Sequence, residues 1–394
     1  MNSLDRPIII AGAGISGLSA ALCLTRAGFD VHLIERAGTF DEVGAGLQLS
    51  PNASRILITL GLDRLLDHLV GKPQSLMVRN AHSGRVLVDM PFGAEAVRRW
   101  GAPMWVAHRA DLQAALLTLV RQETRLRLSP GREVSAVTEM ATSVSAVLRG
   151  GPQDEDVSTP LFLAADGLWS TLRSPMEGGA PPRFAGRSAY RATVPVDGVP
   201  APLRRNATGL WLGHRAHLVH YPLRGGTLVN IVAIISDDYP EESWAAPADT
   251  NDVQQRFADF ALPARELLAL APEWKRWPLY IRPPLRRWPG TRLLPIGDAA
   301  HPMVPFLAQG ASMAIEDAWV LTSCLSKEPD INNALARFKR ERTARVTRVQ
   351  AEAIRNGHVF HLGGIAALAR DMALSALGPK GLAARYDWLY GFQA

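Results

Sequence analysis

The first apolar stretch of the chain, from Ile8 to Leu24, has the pattern of a buried strand followed by a helix. Three consecutive isoleucines, Ile8 to Ile10, predict the strand, and the segment from Ser16 to Leu24 has helical composition. A second apolar strand, Val31 to Ile34, ends at Glu35. Together these segments predict a βαβ unit.

The turn inside this unit carries Gly12, Gly14 and Gly17 in the order G-x-G-x-x-G. The first glycine allows the tight turn, the second lets the backbone approach a pyrophosphate, and the third lets helix and strand pack closely. Glu35 follows Gly17 by 18 residues and is placed to accept hydrogen bonds from a ribose. The pattern predicts a dinucleotide site but does not distinguish NAD from FAD.

Two further buried strands end in acidic turns, and a segment with a β-rich pattern separates them. Leu161 to Ala165 ends at Asp166-Gly167, and Leu293 to Ile296 ends at Gly297-Asp298. Between them, the predicted strands are Ala189 to Val196, Gly209 to Leu212, Ala216 to Pro222 and Thr227 to Ile235. The predicted helices include Ala53 to Leu66, Leu112 to Val120, Asp249 to Leu270, Gly310 to Leu325 and Ile331 to His358.

This order of elements predicts an α/β protein with an α+β insert: a Rossmann-like domain, an inserted β-sheet domain and a C-terminal helical region. The expected boundaries are 1–75, 103–180 and 281–325 for the discontinuous nucleotide domain, 76–102 and 181–280 for the β-rich substrate domain, and 326–394 for the helical region. The charged face of the long helix from Ile331 is expected to be solvated.

Composition narrows the functional classes. The formal charge of +6 is spread along the chain, and an anionic cofactor with an anionic small substrate accounts for it without nucleic acid. The two cysteines, Cys23 and Cys324, form no C-x-x-C motif, which disfavours disulfide redox chemistry, structural zinc and any other metal site. The apolar run near the start carries the glycine motif, and no other uninterrupted apolar run is long enough for a membrane span. The protein is therefore expected to be cytoplasmic, without a membrane partner.

The acidic turns extend into two longer motifs. Asp166 begins D-G-x-x-S-x-x-R, and Gly297 begins G-D-A-A-H-P. In the order G-x-G-x-x-G, D-G-x-x-S-x-x-R and G-D-A-A-H-P, the chain resembles the single-component FAD-dependent aromatic hydroxylases, the family of para-hydroxybenzoate hydroxylase. The resemblance covers nearly the whole chain and is closest to the salicylate hydroxylase-like branch, through the segments 44–53, 108–112 and 221–226.

The resemblance implies FAD as the bound cofactor and assigns residues to its parts. The turn from Gly12 through Ala13, Gly14 and Ser16 to Gly17 cradles the pyrophosphate, Glu35 holds the adenosine ribose, and Arg36 and Val134 lie at the adenine. The residues implied at the flavin side, the ribityl chain and the nicotinamide path are Gly46, Leu47, Gln48, Arg109, Asp166, Gly297 and Asp298. The loop and helix start along the isoalloxazine edge contain Pro305, Gly310, Ala311 and Ser312.

The implied reaction is hydroxylation of an anionic hydroxyaromatic ring of the salicylate, hydroxybenzoate or hydroxypyridine carboxylate type. NADH or NADPH, visiting transiently, and O₂ are the implied co-substrates, and a flavin C4a-hydroperoxide is the implied oxygen donor. Where many relatives read P-x-G-G-Q-G, this chain reads P-F-L-A-Q-G from Pro305, with less backbone freedom. Phe306 stands where some salicylate hydroxylases carry histidine, which leaves room for another hydroxyaromatic acid.

Candidate catalytic and substrate-binding residues lie in the β-rich insert and at the flavin. His220 or Tyr221 is a candidate for activating the phenol beside Pro305, but the alternation of a regular strand allows only one of the two to point at the flavin. Arg191 is a candidate for the substrate carboxylate, with a surface ion pair as the alternative, and Gln48 is a further substrate contact.

Two other functions remain open from the sequence. One is a flavin monooxygenase or epoxidase acting on an isoprenoid or polyketide, and the other is a non-catalytic FAD-bound interaction protein. Either a monomer or a homodimer is expected.

Overall fold

The elements of the protein are taken from a computed structural model that describes residues 6–40, 46–173, 181–238, 246–283 and 287–393. Gly44 and Ala45, the first residues of the segment 44–53 that contributes to the family resemblance, lie outside the described residues. The strands are β1 (Ile8–Ala11), β2 (Val31–Glu35), β3 (Gly46–Leu49), β4 (Ser75–Asn80), β5 (Val86–Pro91), β6 (Trp105–His108), β7 (Leu126–Pro130), β8 (Glu133–Glu139), β9 (Val144–Arg149), β10 (Glu155–Thr159), β11 (Phe162–Ala164), β12 (Arg183–Pro195), β13 (Thr208–Gly213), β14 (Ala216–Leu223), β15 (Leu228–Ser236), β16 (Ala246–Ala248), β17 (Trp274–Ile281) and β18 (Leu293–Pro295). The helices are α1 (Ile15–Arg26), α2 (Pro51–Thr59), α3 (Asp63–Leu66), α4 (Gly93–Trp100), α5 (Arg109–Val120), α6 (Thr250–Arg256), α7 (Leu262–Ala269), α8 (Gly310–Lys327), α9 (Ile331–Phe360), α10 (Gly364–Arg385) and α11 (Asp387–Tyr390).

A parallel five-stranded sheet in the order β18-β11-β1-β2-β7 forms the nucleotide domain. Both faces of β1 are buried: Ile8 and Ile10 join the core that contains α1, α5 and α8, whereas Ile9 packs with the three-stranded sheet β10-β9-β8. Burial on both faces explains the uninterrupted isoleucines, because a half-exposed strand would alternate. The predicted βαβ unit is therefore confirmed.

The carboxyl ends of β1, β2, β11 and β18 meet at one edge of this sheet because the four strands are parallel neighbours. The residues that follow these ends are Gly12, Asp166 and Asp298, while Glu35 is the last residue of β2. Ligands of open α/β sheets bind at this edge. The three sequence motifs are thus brought together by the topology of one sheet.

An eight-stranded sheet in the order β16-β17-β12-β15-β14-β13-β4-β5 forms the second layer. Its strands come from 183–281 and from the hairpin 75–91, which joins through the parallel pair β4 and β13. One face of the sheet packs on α6 and α7, through a core that includes Trp211, Leu218 and Ile231. The other face turns toward the carboxyl edge of the parallel sheet. The expected fold class, with α9 to α11 as the C-terminal helical region, is confirmed; the exact domain boundaries stay a prediction.

Two of the predicted helices are each divided in two. The segment 53–66 contains α2 and α3, separated at Gly61, whose φ of +71° lies in the left-handed region that ends a helix. The segment 249–270 contains α6 and α7, and Pro263 lies in the first turn of the second, where its missing N–H costs nothing. No helix in the described parts of the chain is both long and apolar enough to cross a membrane.

Candidate active site

A cavity of about 620 Å³ lies between the carboxyl edge of the parallel sheet and the open face of the eight-stranded sheet. Most of the residues predicted from the sequence line it. They are Gly12, Gly14, Ser16, Glu35, Arg36, Gly46, Leu47, Gln48, Arg109, Val134, Asp166, Arg191, Tyr221, Asp298, Pro305, Gly310 and Ala311. Five other predicted residues do not line the cavity: Ala13, Gly17, His220, Gly297 and Ser312. The contacts described below show where each of them lies.

The glycine turn has no room for side chains. A Cβ on Gly12, whose φ is +104°, would lie 2.5 Å from the carbonyl oxygen of Ala165, and one on Gly17 would lie 1.8 Å from the carbonyl oxygen of Gly12. Gly14 caps α1 without a side-chain hydrogen bond, so the first N–H groups of the helix face the cavity. This is the cradle that a pyrophosphate needs.

Unsatisfied polar atoms support the fit of a dinucleotide. Within the described residues, the buried Ser16 Oγ and Asp166 Oδ1 have no hydrogen-bond partner. Burial raises the pKa of Asp166, against the hydrogen bonds of Ser170 and of the backbone, which lower it. Buried polar atoms are nearly always paired in native proteins, so these two oxygens indicate that a polar ligand completes the site.

Glu35 is held in place by the backbone of the turn. Its carboxylate accepts hydrogen bonds from the N–H of Ala13 at 2.7 Å and the N–H of Ala37 at 2.8 Å. Ala13 therefore orients the acid rather than lining the cavity, and Gly17 lets α1 approach the turn. Both oxygens of Glu35 retain lone pairs for ribose hydroxyls.

Asp298 is presented by a short 3₁₀ helix, Gly297–Ala299, directly after β18. The N–H of Gly297 donates to Oδ2 of the buried Asp317 at 3.0 Å, and the same oxygen lies 2.6 Å from Nε2 of His301. Arg342 donates to the other oxygen at 2.8 Å. The turn before Asp298 is therefore anchored from behind by an ion pair.

Arg342 corrects the expectation of a solvated face on the long helix. Its side chain is 0% exposed and pairs with both Glu316 and Asp317. Burial alone raises the pKa of both acids, but Arg342, with Arg345 at Glu316 and His301 at Asp317, holds both pKa values below their usual range. The sequence pattern does not reveal this network, because Glu316 and Asp317 lie on α8 and Arg342 and Arg345 on α9.

The loop from Pro305 to Gln309 lies between this network and the cavity. Ala308 has a φ of +53°, in the left-handed region that favours glycine. Gln309 donates to Oγ of Ser50 at 2.7 Å and accepts from Asn52, which also donates to Glu316. Ser312 lies behind the cavity, with its Oγ 3.5 Å from that of Ser50. The loop is thus held from behind, while Gly310 and Ala311 face inward.

Strand β14 shows which of its side chains face the cavity. His217, Val219 and Tyr221 line it, whereas His220 lies on the opposite face, its ring 6.4 Å from that of Trp211. Burial lowers the pKa of His220 to about 4, and Arg79 adds to the lowering. His220 therefore does not face the cavity, whereas Tyr221 does. This is one of the two arrangements that strand alternation allows.

Two residues near Tyr221, Gly46 and Arg191, set the space and the charge of the cavity wall. A Cβ on Gly46 would lie 2.7 Å from the Tyr221 hydroxyl, and the N–H of Gly46 donates to Asn230 at 2.9 Å, so β3 approaches the eight-stranded sheet at this glycine. Arg191 lines the cavity, and its Nε has no hydrogen-bond partner among the described residues. Burial lowers the pKa of Arg191. A cation in this position favours an anionic ligand.

His217 is a polar cavity residue to which the sequence motifs assigned no role. Its Nδ1 lies 2.7 Å from Nε2 of His361, and its ring is 5.4 Å from that of Phe306. Burial holds the pKa of His217 well below its usual value, with His361 and Arg187 adding to the effect. Strand alternation places His217 with Tyr221, but only the packing of the sheet shows that this face meets the cavity.

Together, the parallel sheet with its glycine turn and the second sheet over the cavity define a dinucleotide-binding protein of the Rossmann-like class. Comparisons with known proteins agree. Residues 5–353 match the family described as FAD binding domain. The chain is 34% identical to 3-hydroxybenzoate 6-hydroxylase 1 of Aquipseudomonas alcaligenes, over 98% of this chain and 97% of that protein.

A second relative and a solved structure extend the likeness over the whole chain. The chain is 36% identical to the 3-amino-4-hydroxybenzoate 2-monooxygenase PtnB3 of Streptomyces platensis, over 100% of this chain and 98% of that protein. A salicylate hydroxylase substrate complex superposes with a TM-score of 0.84 at 25% identity, over 100% of this chain and 96% of that one. The protein belongs to the FAD binding domain family and is a single-component FAD-dependent aromatic monooxygenase.

Proposed function

We propose that this protein uses NADH or NADPH and O₂ to hydroxylate a benzoate that carries a phenolic hydroxyl. The observation that carries the proposal is the set of three side chains on one sheet face: Arg191, His217 and Tyr221 all line the cavity, as does Pro305 at the start of the loop. One is a cation, one a neutral base and one a hydroxyl donor. The relatives named for hydroxybenzoates and an aminohydroxybenzoate support a substrate of this kind.

The cofactor side of the cavity has the groups that FAD requires. The glycine turn and the start of α1 would hold the pyrophosphate, Glu35 the ribose, and Asp298 the ribityl chain. Gly310 and Ala311, at the start of α8, would lie along the ring system, where a helix N-terminus favours negative charge. When bound, FAD supplies the redox chemistry with the nicotinamide cofactor and O₂.

Arg191 would bind the carboxylate from one side of the cavity. In the sheet register, Arg191 pairs with Val232, and Val232 pairs with Val219. The two strand spacings place Arg191 about 10 Å across the sheet from β14. His217 and Tyr221 flank Val219 at two residues on either side. An aromatic ring between β12 and β14 can therefore direct its carboxylate to Arg191 and its hydroxyl to β14.

His217 and Tyr221 would act on the phenolic hydroxyl. Burial lowers the pKa of His217, so the imidazole is neutral at working pH and can accept a proton at Nε2. Burial raises the pKa of Tyr221, so its hydroxyl stays protonated and donates a hydrogen bond to the oxygen that becomes negative. A phenolate is more electron-rich than a phenol, which favours oxygen transfer to the ring. The role predicted for His220 passes to His217 in this proposal.

The site of action and the assembly are proposed on chemical grounds. The reaction consumes NADH or NADPH, which the cytoplasm supplies, and the protein would act there as a monomer or homodimer. Size-exclusion chromatography with light scattering measures the assembly directly.

The test is turnover by the purified protein over a panel of hydroxybenzoates, aminohydroxybenzoates and hydroxypyridine carboxylates. We expect a bound flavin, NADH or NADPH oxidation that one class of these acids stimulates, matching O₂ uptake and a product heavier by one oxygen. Catalase in a parallel assay separates hydroxylation from peroxide release. The proposal would be refuted if no acid of the panel stimulated both reduction of the flavin and formation of a hydroxylated product.

A further inference from the structure

The cavity residue His217 begins a chain of hydrogen bonds that leads away from the cavity. Its Nδ1 lies 2.7 Å from Nε2 of His361, and Nδ1 of His361 lies 3.1 Å from Oγ of Ser236. His361 directly follows α9, whereas Ser236 is the last residue of β15 and is half-buried. We call these three side chains the relay chain.

Aromatic rings cover the histidine pair. The ring of His217 lies 5.4 Å from that of Phe306 and 5.3 Å from that of Phe360, and His217 and His361 are both buried. Water has little access to Nδ1 of His217, so the second histidine takes the hydrogen bond that water would otherwise make. The exchangeable proton at Nδ1 therefore has His361 as its partner.

Acceptance of a phenolic proton at Nε2 of His217 selects one of the two proton directions that the hydrogen bonds allow. To accept a phenolic proton at Nε2, neutral His217 must carry its own hydrogen at Nδ1 and donate it to Nε2 of His361. His361 then carries its hydrogen at Nδ1 and donates it to Oγ of Ser236. The opposite arrangement, in which Ser236 donates to His361 and His361 donates to His217, also satisfies both contacts, but it places a hydrogen at Nε2 of His217 and leaves no acceptor there.

We propose that His361 is a positioning residue that relays the phenolic proton from His217 toward Ser236 and the solvent; this inference rests on the proposed function. The phenolic O–H bond breaks, its electron pair stays on the phenolate, and an N–H bond forms at Nε2 of His217. The Nδ1–H of His217 passes to Nε2 of His361, and the Nδ1–H of His361 passes to Oγ of Ser236. Ser236 releases its own proton to water, and no group is oxidised or reduced.

The charges around the relay chain favour conduction over storage of a proton. Burial lowers the pKa of His361 to about 3, and the neighbouring groups that add to the lowering are Arg187, Arg215, His358 and His214. Arg187 also faces His217. On α10, Arg370 donates to the carbonyl oxygens of Val359 and Phe360, beside His361. Neither ring holds a second proton in this field, so a proton accepted from the substrate is passed on.

Replacement of His361 by Gln tests the relay. An amide oxygen can accept the Nδ1–H hydrogen bond of His217, but Gln has no second ring nitrogen to carry the proton further. Below the pKa of the free phenol, we expect His361→Gln to lower kcat about tenfold or more, where complete loss of general acid–base catalysis costs about 10²- to 10⁴-fold. Above that pKa the substrate binds already deprotonated, and the activity of the variant should return to within about twofold of wild type.

A second measurement follows the proton without turnover. The probe is 3-hydroxy-4-nitrobenzoate, whose phenolate absorbs in the visible, mixed with the FAD-loaded enzyme below the pKa of the free probe. Wild type should bind it as the phenolate rapidly, and His361→Gln should slow the appearance of phenolate absorbance. His214→Gln is the matched control, because His214 is an exposed neighbour of His361 outside the relay chain and its loss should leave both measurements unchanged.

A loss of kcat in His361→Gln that is equal at every pH, or no loss at all, would overturn the relay. Equal slowing of phenolate formation by the His214 control would overturn it as well. The proposed function fails separately, when wild type itself turns over no hydroxyaromatic acid.

Discussion

Arg191 offers the sharpest test of the substrate class, because its guanidinium faces the cavity with Nε unpartnered among the described residues. Replacement by Gln removes the charge and keeps much of the side-chain volume. A hydrogen bond to a charged group contributes about 1.5–3 kcal/mol. Since 1.4 kcal/mol is a factor of ten, the Kd of a hydroxybenzoate should rise by about 10- to 100-fold.

The control is a ligand that differs only in charge. 3-Hydroxybenzamide has the ring and hydroxyl of 3-hydroxybenzoate but no carboxylate, so Arg191→Gln should change its Kd by less than about threefold on the same reasoning. The Kd of Arg191→Lys for 3-hydroxybenzoate should fall between those of wild type and Arg191→Gln, because an ammonium group keeps the charge but lacks the planar fork of the guanidinium. Titration of the flavin absorbance or fluorescence measures each Kd.

Steady-state kinetics supply an independent readout. If Arg191 binds the carboxylate equally in the ground and transition states, Arg191→Gln raises KM and leaves kcat nearly unchanged. Equal weakening of acid and amide would refute the assignment, since it would mean that the substitution disturbs the cavity rather than removing a carboxylate contact.

Three other predictions concern the cofactor cradle, the flavin loop and the ion network. Gly17→Ala should weaken FAD binding about 10- to 100-fold, because its Cβ would lie 1.8 Å from a carbonyl oxygen and the helix must shift; the ratio of flavin to protein after purification checks this. Ala308→Gly should leave the free energy of unfolding within about 1 kcal/mol of wild type, whereas Ala308→Val should lower it measurably, because a β-branched residue fits poorly at a φ of +53°. Thermal unfolding distinguishes the two variants. Equal stability of both would contradict backbone strain at this position. Arg342→Met should cost about 3–5 kcal/mol in urea unfolding because it leaves Glu316 and Asp317 buried with one cation fewer. The lowered pKa values of these two acids stabilise the protein at neutral pH, and this contribution is lost as the pH falls; the variant should therefore lose less stability on acidification than wild type does.

Much of the cofactor site could be predicted from local patterns. Gly12, Glu35, Asp166 and Asp298 all line the cavity, and each stands at or just after the end of a predicted strand. Strand ends are recognisable because apolar runs stop there, and parallel neighbours bring their ends to one edge. The assignment to FAD came from the order of three motifs, and the family match agrees with it.

The supporting residues of the site were less predictable. Arg342 was expected in a solvated face, but its side chain is fully buried against two acids on α8. A charged helix face has the same pattern in sequence whether it meets water or an opposing charge. Only the packing of α9 on α8 decides between the two.

The amino-acid sequence by itself determined the βαβ unit, the order of the cofactor motifs and the alternation that separates His220 from Tyr221, because all of these depend on neighbours along the chain. The tertiary structure decided which face of β14 meets the cavity: His217 and Tyr221 line it, and His220 does not. It also brought His361 to within 2.7 Å of His217 from 144 residues away. A contact between distant segments depends on how sheets and helices pack, and no local pattern of hydrophobic and polar residues encodes it.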